Sequence, residues 1–259
     1  MHTAPVPGTR LHYRIDGVRG APVVVLSHSL GADLDMWEPQ MPALAAAYCV
    51  LRYDTRGHGQ SGAPPGPYTI DDLGRDVVAL LDHLDVRRVS FCGLSMGGMI
   101  GMWLGVHASQ RVARLVLANT SAYFGPPGPM NERIAAVGAG GIAAISAAVL
   151  ARWLTPAFAA REPATLAALK ATMERTPPAG YVACCAAIRD MDQRADLPRI
   201  AAPTLVVAGT HDLSTPPAAG RFIAERIPGA RYAELASAHL SNVEAASAFT
   251  ETLTAFLSG

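Results

Sequence analysis

The strongest constraint on the fold lies between residues 89 and 107. Val89–Cys92 is a short apolar run, Met96–His107 reads as an unbroken helix, and Gly93-Leu94-Ser95-Met96-Gly97 joins them. A chain leaving a buried strand and entering a helix within two residues must turn sharply. The residue at that turn is held in a strained backbone conformation. Side chains two positions to either side would collide, which accounts for glycine at 93 and 97. The turn lifts the Ser95 hydroxyl above the edge of a sheet, at the positive end of a helix, where a developing anion is favoured. In this strand–turn–helix context, Gly-x-Ser-x-Gly marks a nucleophilic serine.

Strand and helix alternate on both sides of this turn. Arg10–Ile15 and Val23–Ser27 read as strands, and the β-branched run Val23-Val24-Val25-Leu26 suits a strand buried on both faces. Met36–Ala47 reads as a helix, Cys49–Tyr53 as a strand, and Asp54–Gly62 as a polar, glycine-rich loop. Ile70, Leu73, Val77, Leu80, Leu81 and Leu84 fall on one helical face, with Thr69 and Asp72 as a capped start. Val112–Asn119 is a further strand.

The alternation stops near Thr120 and resumes at the strand Thr204–Gly209, followed by a helix near Ala218–Ile227, the strand Arg231–Leu235 and a final helix Ala245–Leu257. Alternation of this kind predicts an α/β fold with a mostly parallel central sheet flanked by helices. A helical cap at 121–199 is inserted before the last two strands, and the core comprises 1–120 and 200–259.

A serine hydroxyl needs a base to attack at neutral pH, and histidine has the matching pKa. Three histidines follow Ser95: His107, His211 and His239. His107 belongs to the helix leaving the turn, whereas His239 follows the last strand in Ser237-Ala238-His239, where a loop at the carboxyl edge is expected. The acid that orients the imidazole should follow the preceding strand, which selects Asp212 in Gly209-Thr210-His211-Asp212. Asp190, Asp192 and Asp196 precede that strand and enter from the opposite edge. Two backbone donors must face the oxyanion. The positions expected to supply them are Met96, directly after the serine, and Leu30, in the loop His28-Ser29-Leu30-Gly31. Ser29, in the same loop, is a candidate for the site lining.

Lys+Arg and Asp+Glu balance at 21 each, so nothing in the bulk charge points to nucleic acid or an anionic membrane. Any charged ligand must be read by one or two placed residues. Ile134–Ala151 is uncharged over 18 residues, but its alanines and the glycines at 138, 140 and 141 predict two short helical pieces packed on protein, not a membrane span. The four cysteines include no C-x-x-C pair, and the first ten residues lack a secretory pattern, so free thiols in a reduced, cytoplasmic protein are expected. His58, between Gly57 and Gly59, has no partner at metal-ligand spacing and is read as bracing its loop. Neither a metal nor an organic cofactor is expected.

Six stretches carry a wider resemblance: LHYRIDG at 11–17, LRYDTRGHGQS at 51–61, GPYTIDDL at 66–73, FCGLSMGG at 91–98, RWLTPAF at 152–158 and GTHDLSTPP at 209–217. With them the chain resembles the α/β-hydrolase superfamily over its full length and, within it, the 3-oxoadipate enol-lactonases. The resemblance implies hydrolysis of a small, anionic enol-lactone to 3-oxoadipate, late in the protocatechuate branch of aromatic catabolism. It also implies that Arg133 captures the substrate's carboxymethyl arm. Trp153 is the candidate pocket wall, and Met130 stands near where related lactonases carry a tryptophan. A general carboxylesterase, a carbon–carbon bond hydrolase of ring-cleavage products, and a non-catalytic small-molecule binder are rival readings of the same framework.

Overall fold

The computed structural model describes residues 2–259. Eight strands form one sheet in the order β1-β2-β4-β3-β5-β6-β7-β8. They are β1 (His2–Val6), β2 (Thr9–Gly17), β3 (Val23–Ser27), β4 (Cys49–Tyr53), β5 (Val89–Leu94), β6 (Val112–Ala118), β7 (Thr204–Gly209) and β8 (Arg231–Leu235). β1 pairs antiparallel with β2, and β2 antiparallel with β4; every pairing from β4 to β8 is parallel. The mostly parallel sheet expected from the alternation is therefore present.

The helices are α1 (Met41–Leu44), α2 (Ile70–His83), α3 (Met96–His107), α4 (Gly128–Gly140), α5 (Ala143–Trp153), α6 (Pro156–Arg161), α7 (Pro163–Arg175), α8 (Pro178–Asp190), α9 (Pro217–Arg226), α10 (Ser241–Glu244) and α11 (Ala246–Ser258). Five of them, α4 to α8, lie between β6 and β7. The predicted capping box of α2 is formed: the Thr69 hydroxyl accepts from the Asp72 N–H at 3.1 Å, and the Asp72 carboxylate accepts from the Thr69 N–H at 2.9 Å. The uncharged stretch 134–151 is split as expected, because Gly141 takes φ +68° between α4 and α5. Among the described residues no helix is long and apolar enough to cross a membrane, and all four cysteines are free thiols.

Two expectations need correction. Strand β1 is absent from the sequence reading because it is short and contains Pro5; proline, which lacks a ladder donor, is tolerated there because β1 is an edge strand. The helix expected over Met36–Ala47 is instead a 3-10 segment, Leu34–Gln40, running into the four-residue α1. Pro39 and Pro42 each remove a backbone donor, which breaks a regular α-helix of that length.

The glycine-rich loop after β4 ties the sheet to its surroundings. Asp54 accepts from His12 Nδ1 at 2.8 Å, the Leu34 N–H at 2.8 Å and the Gln60 N–H at 2.9 Å. Arg56 forms a buried, two-pronged ion pair with Asp76 of α2. A Cβ at Gly57 would lie 2.7 Å from the Gly180 backbone, so only glycine lets the start of α8 settle on this loop. His58 Nε2 accepts the Gly31 N–H at 2.9 Å and so fixes the loop after β3. His28 braces the same corner by accepting the Thr55 N–H at 2.9 Å.

Burial, together with the neighbouring His28, lowers the His58 imidazole from its usual range to about 3. The folded protein therefore refuses a proton that the unfolded chain accepts below about pH 6.5. Stability contributed by neutral His58 is complete above that pH and falls as pH drops toward 3, with a loss of about 2 kcal/mol by pH 5. Denaturant titrations at pH 7.5 and pH 5 should show this loss in the wild type. His58→Asn should be less stable at pH 7.5 but lose less between the two pH values; an equal loss in both proteins would contradict the assignment.

Candidate active site

The parallel strands place Leu30, Ser95, Met96, Asp212 and His239 at one edge, while Arg133 and Trp153 come from the inserted helices α4 and α5. Ser27 of β3 pairs with Gly93 of β5, Leu94 pairs with Ala118 of β6, and Gly209 of β7 pairs with Leu235 of β8. The loops carrying Leu30, Ser95, Asp212 and His239 therefore all leave from the carboxyl ends of these strands. This is where ligands bind in open α/β sheets.

Ser95 has φ +57° and ψ −114°, a conformation that costs a non-glycine residue on the order of 1–3 kcal/mol. It is held by the Ser95 N–H donating to Ala118 O at 2.9 Å and by the Thr120 hydroxyl donating to Ser95 O at 2.7 Å. The flanking glycines are sterically required: a Cβ at Gly93 would lie 2.1 Å from Gly97 O, and one at Gly97 would lie 2.2 Å from Ser27 O. Met96 opens α3, so its N–H has no intrahelical acceptor. In the loop after β3, the Ala32 N–H bonds Ser29 O and the Gly31 N–H bonds His58, which leaves the Leu30 N–H without an acceptor among the described residues. Gly31 has φ +80°, and a Cβ there would lie 3.1 Å from Tyr181 and 3.8 Å from Trp153. The inserted helices thus pack directly over this loop.

His239 Nδ1 lies 2.8 Å from Asp212 Oδ2, and both side chains are almost wholly buried. Burial alone would raise the Asp212 carboxyl. His239, the Thr215 N–H and the Asn119 amide outweigh it and hold the group at about 2. Asp212 is thus an acceptor only, so Nδ1 of His239 carries its proton toward Asp212 and the Nε2 lone pair is left for the site. Asp212 is in turn fixed by the Thr215 hydroxyl at 2.8 Å and by Asn119 Nδ2 at 3.0 Å. The rival acids are engaged at the surface: Asp190 with Arg189, Asp192 with Arg194, and Asp196 with Arg199. His107 stacks on Trp103 at the far end of α3, and His211 is exposed.

Ser95 and His239 line a single cavity of about 660 Å³, mouth included. Ser29, Leu30, Arg133 and Trp153 line it too. Asp212 stands behind His239, outside the lining. Met99, Phe124, Met130, Val149 and Ile188 make most of the remaining wall apolar. Of the five arginines in the inserted helices, only Arg133 and Arg152 reach the cavity. Among the described residues no three His, Cys, Asp or Glu side chains come together as a metal site.

Two residues at this edge are missing from the sequence reading. Asn119, at φ +45°, donates to Asp212 and to Ala238 O; a turn asparagine at a strand end carries no sequence signal for that role. Glu244 accepts from the Ala238 N–H at 2.8 Å, directly before His239, and from the Thr155 hydroxyl and N–H at the start of α6. The Leu240 N–H donates to Trp153 O at 2.9 Å. The loop of His239 is therefore bound on both sides to the segment that carries Trp153.

Comparison with known proteins places the chain in a family. Residues 22–246 match the family model described as the alpha/beta hydrolase fold. The chain is 39% identical over 247 residues to 3-oxoadipate enol-lactonase 2 of Acinetobacter baylyi, covering 95% of this chain and 92% of that protein. It is 31% identical over 254 residues to RutD of Stutzerimonas stutzeri, to which carbamate hydrolysis is ascribed by inference, covering 94% and 95% respectively. The crystal structure of the enol-lactonase from Burkholderia xenovorans LB400 superposes with a TM-score of 0.98 at 48% identity, covering all of both chains. With its parallel sheet, its strained serine turn and this match across most of its length, the chain belongs to the α/β-hydrolase fold family and is similar to 3-oxoadipate enol-lactonases.

Proposed function

We propose that this protein hydrolyses 3-oxoadipate enol-lactone to 3-oxoadipate, in the breakdown of aromatic compounds, with Ser95, His239 and Asp212 as a catalytic triad. The observation that carries the reading is one small, mostly apolar cavity that holds Ser95, His239 and the half-buried Arg133, which forms no ion pair among the described residues. Apolar walls suit the lactone ring, and a guanidinium suits a carboxymethyl arm. The likeness to named enol-lactonases over the whole chain supports the same substrate.

In this reading Arg133 holds the arm and orients the lactone carbonyl over Ser95, with Trp153 and Ser29 lining the space around the ring. His239 Nε2 takes the Ser95 proton as Oγ attacks the carbonyl carbon. The N–H groups of Met96 and Leu30 face the tetrahedral oxyanion, in a site largely shielded from water. Collapse breaks the bond to the ring oxygen, which leaves as an enol after receiving the proton from His239, and the enol ketonises. Water, deprotonated by His239, then attacks the acyl-serine, and Ser95 recovers its proton as the acid departs. The triad completes both acyl-transfer steps without a metal or an organic cofactor.

The direct test is the loss of enol-lactone ultraviolet absorbance on adding enzyme, with a simple aryl ester and a small carbamate as comparators. The carbamate arm tests the activity ascribed to RutD. A clear preference for the lactone is expected; faster turnover of either comparator would overturn the reading.

Ser95→Ala should lower kcat by about 10⁴-fold or more with the circular dichroism spectrum unchanged. Asp212→Asn should lose about 10³–10⁴-fold because the imidazole is no longer held in one tautomer, whereas Asp190→Asn should be near normal. If those two variants exchanged behaviour, the acid would be misassigned. Arg133→Ala should lose about 2–4 kcal/mol in kcat/KM with the lactone and little with a neutral aryl ester. Equal losses on the two substrates would show that Arg133 only supports the inserted helices.

A further inference from the structure

Arg152 is the second arginine to reach the cavity of Ser95 and His239. It also lines a larger, open groove on the outer side, bordered by Thr155, Phe158, Ala238 and Glu244. It therefore stands where the enclosed cavity meets solvent. The other arginines of the inserted helices are engaged elsewhere: Arg161 with Glu162, Arg175 with the Thr172 hydroxyl, and Arg189 with Asp190. Arg133 and Arg152 form no ion pair among the described residues, and no Asp or Glu lines the cavity. Two guanidiniums on one mostly apolar space repel each other until anions enter.

A lactone with one carboxymethyl arm brings a single negative charge. Hydrolysis adds a second. When water cleaves the acyl-serine, the bond between the acyl carbon and Ser95 Oγ breaks, His239 returns a proton to Oγ, and the new carboxylic acid gives its proton to solvent. The product is a dicarboxylate, and its new charge forms beside the oxyanion donors with no cation of its own if Arg133 keeps the arm.

We propose that Arg152 binds the carboxylate created by hydrolysis, so that the cavity is a two-point dicarboxylate site with its second cation at the mouth. This rests on the reading that Arg133 holds the first carboxylate. The product is drawn from the oxyanion donors toward the open groove while still held at its other end. The enzyme is accordingly inhibited by straight-chain dicarboxylates of product length and only weakly by monocarboxylates.

Calorimetric titration with adipate and with hexanoate tests this without lactone turnover. Wild type should bind adipate about fivefold more tightly than hexanoate, the difference set by one exposed charge pair. Arg152→Gln should lose that preference with hexanoate affinity unchanged, and Arg152→Lys should keep part of it. Arg133→Gln should weaken both ligands. Arg152→Gln binding adipate as tightly as wild type, or wild type showing no preference for adipate, would overturn the proposal. Intact adipate preference in a protein that leaves the enol-lactone untouched would instead sink the enol-lactonase reading and leave the dicarboxylate site standing.

Discussion

The strained turn at Ser95 is the constraint on which the rest of the site depends. A left-handed serine between a strand and a helix survives only where its surroundings over-determine it. Here the Ser95 N–H is tied to β6, its carbonyl is tied to Thr120, and Gly93 and Gly97 let the turn close against Ser27 at distances no side chain would permit. Because β3, β5 and β6 are adjacent and parallel, the same packing brings the loop of Leu30 beside the start of α3. The placement of the Leu30 and Met96 N–H groups, the proposed oxyanion donors, is thus a consequence of how the serine is held, not an independent construction.

The surroundings of His239 are built on a second set of ties. Burial raises the Asp212 carboxyl, but the charge interaction with His239 and hydrogen bonds from His239, Thr215 and Asn119 outweigh it and hold the group low. Glu244 and the Trp153 carbonyl grip the backbone on either side of His239. Since Trp153 also lines the cavity and Arg152 precedes it, the segment that shapes the cavity is the one that steadies His239. Movement of the inserted helices would therefore be felt at His239 as well as at the ligand.

Local pattern made much of this legible. The β-branched run of β3, the apolar face and capping box of α2, and the glycine-spaced serine each encode a local geometry, and each is found where the sequence predicts it. The weak points are places where tertiary context decides. Pro5 reads against a strand until β1 is seen to lie at the sheet edge. Pro39 and Pro42 convert an apolar helical pattern into a 3-10 turn and a short helix. Glu244 and Asn119 look like ordinary surface and turn residues, because Thr155, which Glu244 holds, and Asp212, which Asn119 holds, lie far away in the chain.

By itself the sequence determined the fold class, the order of strands and helices around the inserted segment, and a short set of candidates for nucleophile, base and acid. It could do so because chain order along a parallel sheet maps onto positions along one edge. It could not separate the arginines of the inserted helices, whose residue type and helical setting are alike. Only tertiary structure decided that Arg161, Arg175 and Arg189 are spent on nearby partners, while Arg133 and Arg152 line a cavity that no Asp or Glu lines. The reason is physical: a helix presents side chains on every face, and which face meets the site is set by packing between helices that are distant in sequence.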